Sequence, residues 1–153
     1  VPVVAFVFGP LGTLSMMRKQ EETYMDIYDE PEAVKAAAAC MIHNCGGKIY
    51  FDRQIERMHS EAISFLTADD CKDFKECKDK YGDKTTLIGS ADPTHAVFGS
   101  DENWIAECKK SIDDMAVGGG FVLATGCEYP LDADFKRAHL MQELAKTYGS
   151  YEK

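Results

Sequence analysis

Short apolar segments alternate with longer amphipathic segments along this chain, and this alternation restricts the folds that it can adopt. The apolar runs are "PVVAFVF" (2–8), "MIHNC" (41–45), "AISFLT" (62–67), "TTLIGS" (85–90) and "FVLATG" (121–126). Short apolar runs rich in β-branched and aromatic residues are typical of strands buried on both faces of a parallel sheet. We therefore predict an α/β fold of about five β/α units.

The segments between the strands carry helical spacing and helix-end signals. Pro31 suits a first helical position, Ser100 an N-cap, and Gly82 a C-cap. The acids at the start of several segments also favour helix N-termini. The predicted helices lie within residues 20–29, 31–40, 49–60, 69–82, 100–120 and 132–149.

Charge and hydropathy exclude several classes of partner. The chain has 153 residues and a formal net charge of −9, without a cluster of lysine and arginine. This charge argues against binding to nucleic acid or to an anionic membrane surface. No apolar run approaches the roughly 20 residues of a membrane span, and the N-terminal run lacks the basic region of a signal peptide. We expect a cytoplasmic protein.

Six cysteines occur in the chain, and we expect free thiols or metal ligands from them. A chain of this length with regular strand and helix patterns does not need a disulfide scaffold, and it has no secretory signal. His43 and Cys45 lie two residues apart in "MIHNCGG", and Cys127 follows the strand "FVLATG". Side chains two residues apart on an extended segment point to the same side.

His43, Cys45 and Cys127 all lie at predicted strand ends, where the functional groups of parallel α/β proteins gather. One histidine and two cysteines can give zinc three ligands at roughly 2.0 to 2.3 Å and leave a fourth position open, as in catalytic sites. The glycines at 46, 47 and 126 allow backbone or ligand to approach closely. A buried histidine beside a small core cysteine is the alternative that these spacings leave open.

The remaining cysteines and histidines have simpler interpretations. Four cysteines have no partner at metal-ligand spacing, and we interpret them as core residues. His59 and His139 are expected on helix surfaces, whereas His95 follows a strand together with Asp92, in a predicted loop, and its role stays open. The acids of "DDCKDFKECKDK" are expected on a solvated face. The four core cysteines are Cys40, Cys71, Cys77 and Cys108.

Four segments together resemble the uroporphyrinogen decarboxylase superfamily. They occur in the family's order and cover nearly all of the chain. Within that superfamily, a His-x-Cys pair followed much later by a cysteine is similar to the zinc-dependent, corrinoid-linked methyltransferases, such as methylcobamide:coenzyme M methyltransferase. The segments are "GPLGTLSMMRKQEETYMDIYDEPEAVKA", "MIHNCGG", "TTLIGSADPT" and "GGGFVLATGCEYPLDADF".

This resemblance implies a site and a reaction. His43, Cys45 and Cys127 would be the zinc ligands and the catalytic residues. Zinc would hold a substrate thiol as thiolate, and the thiolate would attack the methyl group of a methylated corrinoid presented by a corrinoid protein. The resemblance does not identify the fourth zinc ligand; Glu128 is adjacent to Cys127 in sequence.

Three other functions fit parts of the same pattern. A metal-free decarboxylase acting on a porphyrinogen belongs to the same superfamily. Homocysteine methylation, as in cobalamin-independent methionine synthase, also uses a His-x-Cys zinc site on a related barrel. A non-catalytic module that only docks a corrinoid protein would keep the fold without the reaction.

The resemblance also implies a (β/α)8 TIM barrel about twice as long as this chain. We expect residues 1–153 to be the C-terminal part of a single catalytic barrel domain, beginning inside a larger protein. The helix ending at Cys40 meets the strand beginning at Met41 without the usual loop of 2 to 6 residues. We therefore expect a β/α segment to be missing between these residues, and we expect the chain to form oligomers or need a complementary chain.

Overall fold

Strands and helices alternate strictly through most of the described chain. The computed structural model describes residues 41–66, 71 and 73–149. One strand–helix unit contains two consecutive helices instead of one. In chain order the elements are β1 (Met41–Asn44), α1 (Phe51–Met58), β2 (Ala62–Phe65), α2 (Phe74–Tyr81), β3 (Thr86–Ala91), α3 (Pro93–Phe98), α4 (Asp101–Met115), β4 (Phe121–Thr125) and α5 (Phe135–Thr147).

The four strands form one parallel sheet in the order β1-β2-β3-β4. His43 on β1 is in register with Ser64 on β2, and Ser64 is in register with Ile88 on β3. Each strand is followed by at least one helix, which returns the chain to the end of the sheet where the next strand begins, as parallel pairing requires. The predicted α/β class is therefore confirmed, and β1 to β4 are four of the predicted strands.

One face of the sheet packs against the helices and forms the main core. Alternate strand residues, among them Ile63, Phe65 and Leu87, are fully buried there. Phe51 of α1 stacks on Tyr81 of α2 with ring centroids 4.5 Å apart, and it meets Phe65 edge-on at 5.3 Å. These contacts fix α1 and α2 on the sheet and leave the other strand face for His43, Ser64 and their neighbours in register.

The sheet is strongly curled at the carboxyl ends of its strands. β2 and β4 are separated by β3, so a flat sheet would keep them about 10 Å apart. Nevertheless, a Cβ placed on Gly126, just after β4, would lie only 2.4 Å from the Cα of Leu66, just after β2. On β3 between them, Gly89 has φ +141°, and a Cβ there would lie 2.4 Å from the carbonyl oxygen of Phe65. The two glycines are what allow these strand ends to converge.

Helix α3 was not predicted, because residues 92–95 were interpreted as a loop. Asp92 is its N-cap and accepts a hydrogen bond from the backbone of Thr94 at 2.8 Å, and Pro93 occupies the first turn. The interpretation of His95 as a loop residue is therefore wrong. The predicted caps Ser100 and Gly82 are confirmed for α4 and α2.

Several predictions fall partly or wholly outside the described residues. These are the strand at 2–8, the helices at 20–29 and 31–40, and the junction at Cys40. The described cysteines are free thiols, as predicted, and Cys71, Cys77 and Cys108 are buried. Of these three, Cys71 lies outside a helix, contrary to its predicted position. Among the described helices, none is long and apolar enough to cross a membrane.

Candidate metal centre

The side chains of His43, Cys45 and Cys127 meet at the carboxyl end of the sheet. One ligand atom from each residue lies within 4.8 Å of the ligand atoms of the other two. His43 belongs to β1, Cys45 follows it directly, and Cys127 lies two residues after β4. The centre thus joins the two outer strands of the described sheet, and the curl at Leu66 and Gly126 explains how they meet.

The chain on each side of the centre is shaped by local hydrogen bonds. The Asn44 side chain accepts from the backbone N–H of Gly46 at 2.9 Å and donates to the carbonyl of Ile49 at 3.3 Å. Such asparagine turns redirect the backbone directly after a strand, and this one places Cys45 in the turn. After β4, the hydroxyl of Thr125 donates to the carbonyl of Cys127 at 2.6 Å.

Ser64 is a member of this site that the sequence interpretation missed. Its Oγ lies 3.1 Å from Nδ1 of His43, and the residue is fully buried. In metal sites, the histidine ring nitrogen that does not bind the metal characteristically forms a hydrogen bond. This bond fixes the orientation of the ring. Ser64 sits in an apolar strand, and only its register with His43 would have indicated this contact.

Burial and nearby charges shift the protonation of the ligands. Burial lowers the pKa of His43, and the carboxylate of Glu128 partly opposes this shift. Burial raises the pKa of the Cys127 thiol; a hydrogen bond with the Glu128 backbone lowers it, and the adjacent Cys45 raises it again. The neutral imidazole favoured at position 43 is the form that binds a metal, whereas a cation would be needed to hold Cys127 as thiolate near neutral pH.

The donor set and its spacing fit zinc. Zinc binds thiolate sulfur at about 2.3 Å and imidazole nitrogen at about 2.0 Å, so ligand atoms around a tetrahedral ion are roughly 3.5 to 4 Å apart. The three atoms, all within 4.8 Å of one another, need only a small contraction to reach this spacing. Three protein ligands leave one coordination position for another molecule.

The other candidate residues lie elsewhere. Within the described part of the chain, neither Asp92 nor His95 joins the group of three ligands. His95 instead pairs with Glu107 of α4, with Nδ1 and Oε2 2.8 Å apart. Glu128 affects the pKa of His43 through its charge, but it is not in the group either. His59 and His139 are exposed at or on helices, as predicted.

The fold is similar to that of a solved methyltransferase from Methanosarcina mazei. The TM-score is 0.64 at 14% sequence identity, and the match covers 98% of this chain and 43% of the other. At this identity the similarity concerns the fold, and the chain spans less than half the length of that protein. A comparison with curated protein sequences finds no match.

The sequence profile of one family covers most of the chain. The profile of the "Uroporphyrinogen decarboxylase (URO-D)" family matches residues 33–148, which include all nine described elements and the three candidate ligands. The predicted fold, part of a (β/α)8 barrel of this type, is thereby confirmed. The chain belongs to the uroporphyrinogen decarboxylase (URO-D) family.

Proposed function

We propose that this protein is a zinc-dependent methyltransferase that moves a methyl group between a corrinoid and a small thiol such as coenzyme M. The observation that carries the proposal is the convergence of one imidazole and two thiols, from opposite edges of the described sheet, to within 4.8 Å. The similarity in fold to a methyltransferase, 14% identical in sequence, is consistent with it.

His43, Cys45 and Cys127 would hold the zinc ion and act as the catalytic residues. When bound, zinc supplies the positive charge that keeps a coordinated substrate thiol deprotonated near neutral pH. Ser64 orients the imidazole of His43 through Nδ1, which directs the other ring nitrogen to the metal. Gly126 keeps the end of β4 close to Leu66 and so positions Cys127.

The remainder of the site would come from a larger assembly. In this proposal residues 1–153 form the C-terminal part of one catalytic barrel domain, with a β/α segment missing between Cys40 and Met41. The open end of the barrel, at the carboxyl ends of the strands, would receive a methylated corrinoid carried by a corrinoid protein. The thiol sulfur, held beside the ligands, would be the group that takes up the methyl.

Decarboxylation of a porphyrinogen is the second candidate, because the family is named for it. A metal-free decarboxylation gives no role to one imidazole nitrogen and two thiol sulfurs gathered within 4.8 Å. Homocysteine as the thiol would keep the same ligands and change only the substrate. A docking module without activity would keep the fold and need no intact ligand set.

The test measures zinc content and thiol-dependent demethylation of methylcobalamin on one sample of the 153-residue chain. We expect close to one zinc per chain, turnover with coenzyme M, and loss of both in His43→Ala. Homocysteine is assayed in parallel, and a porphyrinogen decarboxylation assay is the control. A chain that binds no zinc, or a complete barrel containing these residues that binds zinc without turnover of either thiol, would reject the methyltransferase proposal, and decarboxylation by the metal-free protein would establish the second candidate.

A further inference from the structure

Cys45 and Cys127 are a pair of free thiols held close together on two different strands. Their sulfur atoms lie within 4.8 Å of each other. Cys45 is exposed to solvent, and Cys127 is half-buried. Both residues lie beyond the last residue of their strands, so movement of either side chain breaks no bond of the sheet.

The other described cysteines are protected from oxidants in solution. Cys77 and Cys108 have no exposed surface, and Cys71 is 9% exposed. Burial also raises the pKa of Cys108 to about 12, so its reactive thiolate is scarce. Oxidation should therefore begin at Cys45, which is the most exposed of the described cysteines.

We propose that a hydroperoxide converts Cys45 and Cys127 into a disulfide that excludes metal from this centre. In the first step the Cys45 sulfur takes one oxygen from the peroxide and becomes a sulfenic acid, and the remainder leaves as water or an alcohol. In the second step the Cys127 sulfur attacks the Cys45 sulfur, the S–O bond breaks, and a second water leaves. The two thiols lose two electrons in total, and the peroxide gains them.

The geometry allows this bond with little movement. A disulfide is about 2 Å long, so the two sulfurs need to approach by roughly 3 Å at most. Rotation of the exposed Cys45 side chain, which is rapid in solution, can supply most of that approach.

The disulfide and a metal ion compete for the same two sulfur atoms. Oxidation would leave His43 as the only one of the three ligands able to bind, and a single imidazole does not hold zinc at useful affinity. A bound metal would in turn protect both thiols from the peroxide. The centre would thus be unable to bind metal under oxidising conditions, and a dithiol reductant would restore binding. This holds for any reaction that the centre performs.

The experiment treats the full chain with hydrogen peroxide after removal of metal by a chelator. Trypsin, which cuts after lysine and arginine, yields peptides 36–48 with Cys45 and 111–136 with Cys127. We expect these peptides to be joined before reduction, the titratable thiols to fall by two, and zinc binding to fall at least tenfold. Dithiothreitol should restore the titratable thiols and the zinc binding. Zinc added before the peroxide should slow formation of the cross-link at least tenfold.

Single variants identify the bond. Peptide 36–48 also contains Cys40, so Cys45→Ser must abolish the cross-link, whereas the matched control Cys108→Ser must retain it. A cross-link that persists in Cys45→Ser would overturn the proposal. So would oxidation of Cys45 to a sulfinic acid while Cys127 remains open to alkylation, or cross-linked protein that binds zinc as tightly as the reduced form.

Discussion

At the scale of single residues, the contact between Ser64 and His43 indicates that a neighbour of the candidate ligands affects metal binding. We predict that Ser64→Ala weakens zinc binding by about 10- to 100-fold, because the ring of His43 loses the partner 3.1 Å from Nδ1. Competition with a chromophoric chelator measures this affinity. Ser90→Ala is the matched control, since Ser90 is an equally buried strand serine whose hydroxyl has no partner among the described residues. Equal affinity in the two variants would contradict the role given to Ser64.

Cys127 is half-buried and lies beyond β4, so truncation of its side chain should leave the core intact. We predict that Cys127→Ala loses zinc and thiol methylation, while the metal-free fold changes in stability by less than about 1 kcal/mol. Metal analysis and thermal unfolding of metal-free protein test both parts. Cys108→Ala should show the reverse, with zinc retained and about 1 to 2 kcal/mol lost at a fully buried site. Zinc retained by the Cys127 variant would refute the assignment.

The sequence indicated the three candidate ligands, which the structure brings to within 4.8 Å of one another, but it did not indicate their neighbours. A His-x-Cys pair and a distant cysteine can be recognised directly in the sequence, and the family resemblance implied that they form one site. Ser64 is a single polar residue within the apolar segment "AISFLT". Its contact with His43 depends on strand register, which no local sequence pattern indicates.

At the scale of elements, the close approach of β2 and β4 brings the three candidate ligands together. Gly126→Ala would place a Cβ 2.4 Å from the backbone of Leu66, so the two strand ends must separate. We predict at least tenfold weaker zinc binding, although no ligand is changed, together with about 1 to 3 kcal/mol of lost stability.

Gly118→Ala is the control for this prediction. A Cβ at Gly118 meets nothing within 4 Å, but its φ of +76° still strains an alanine. The Gly118→Ala variant should therefore be less stable than the unaltered chain, whereas its zinc affinity should be the same. If the Gly126 variant kept the affinity of the unaltered chain, the curl of the sheet would not be what aligns the ligands.

Helix α3 is held to α4 by Glu107, and this contact depends on pH. Glu107 accepts from the backbone of Asp92 at 2.7 Å and pairs with His95 at 2.8 Å. Its hydrogen bond and charge raise the pKa of His95. The stabilisation is therefore fully present below the unfolded pKa of about 6.5 and is lost as pH rises through the folded pKa.

We predict that Glu107→Gln lowers the pKa of His95 towards its ordinary value, because glutamine can still accept from Asp92 but carries no charge. Stability should fall by at most about 1 kcal/mol below pH 6.5, since His95 is exposed and Glu107 only half-buried, and should not change at high pH. NMR titration of the imidazole and unfolding at two pH values measure this. Asp79→Asn removes an exposed pair with Lys75 and should show no such dependence near pH 6.5. An unshifted His95 would contradict the prediction.

The missed helix α3 shows where periodicity fails. Its six residues are too few for a helical hydrophobic period to emerge, so the pattern that revealed α4 and α5 could not reveal it. The end signals were nevertheless present, with Asp92 as a cap followed by Pro93. The curl of the sheet was equally invisible, because it arises from contacts between Leu66 and Gly126, 60 residues apart in the sequence.

At the scale of the whole molecule, β1 and β4 are outer strands within the part of the chain that the structure describes. Outer strands present unpaired backbone groups that favour pairing with further strands. We predict that the 153-residue chain associates with itself or with a complementary chain. Light scattering across a concentration series measures the mass. A single monomeric species at all concentrations, with a helical circular dichroism spectrum, would contradict this prediction.

The candidate ligands lie on or just after the first and last described strands, and this placement bears on how the centre would be assembled during synthesis. His43 and Cys45 leave the ribosome about 80 residues before Cys127, which at roughly 5 to 20 residues per second is a delay of about 4 to 16 s. In the proposed zinc enzyme, an ion arriving in that interval would find only two of the three candidate ligands. A completed centre would require that β4 has been translated and has docked, so metal capture would come late in biogenesis, after the slow long-range pairings of the sheet.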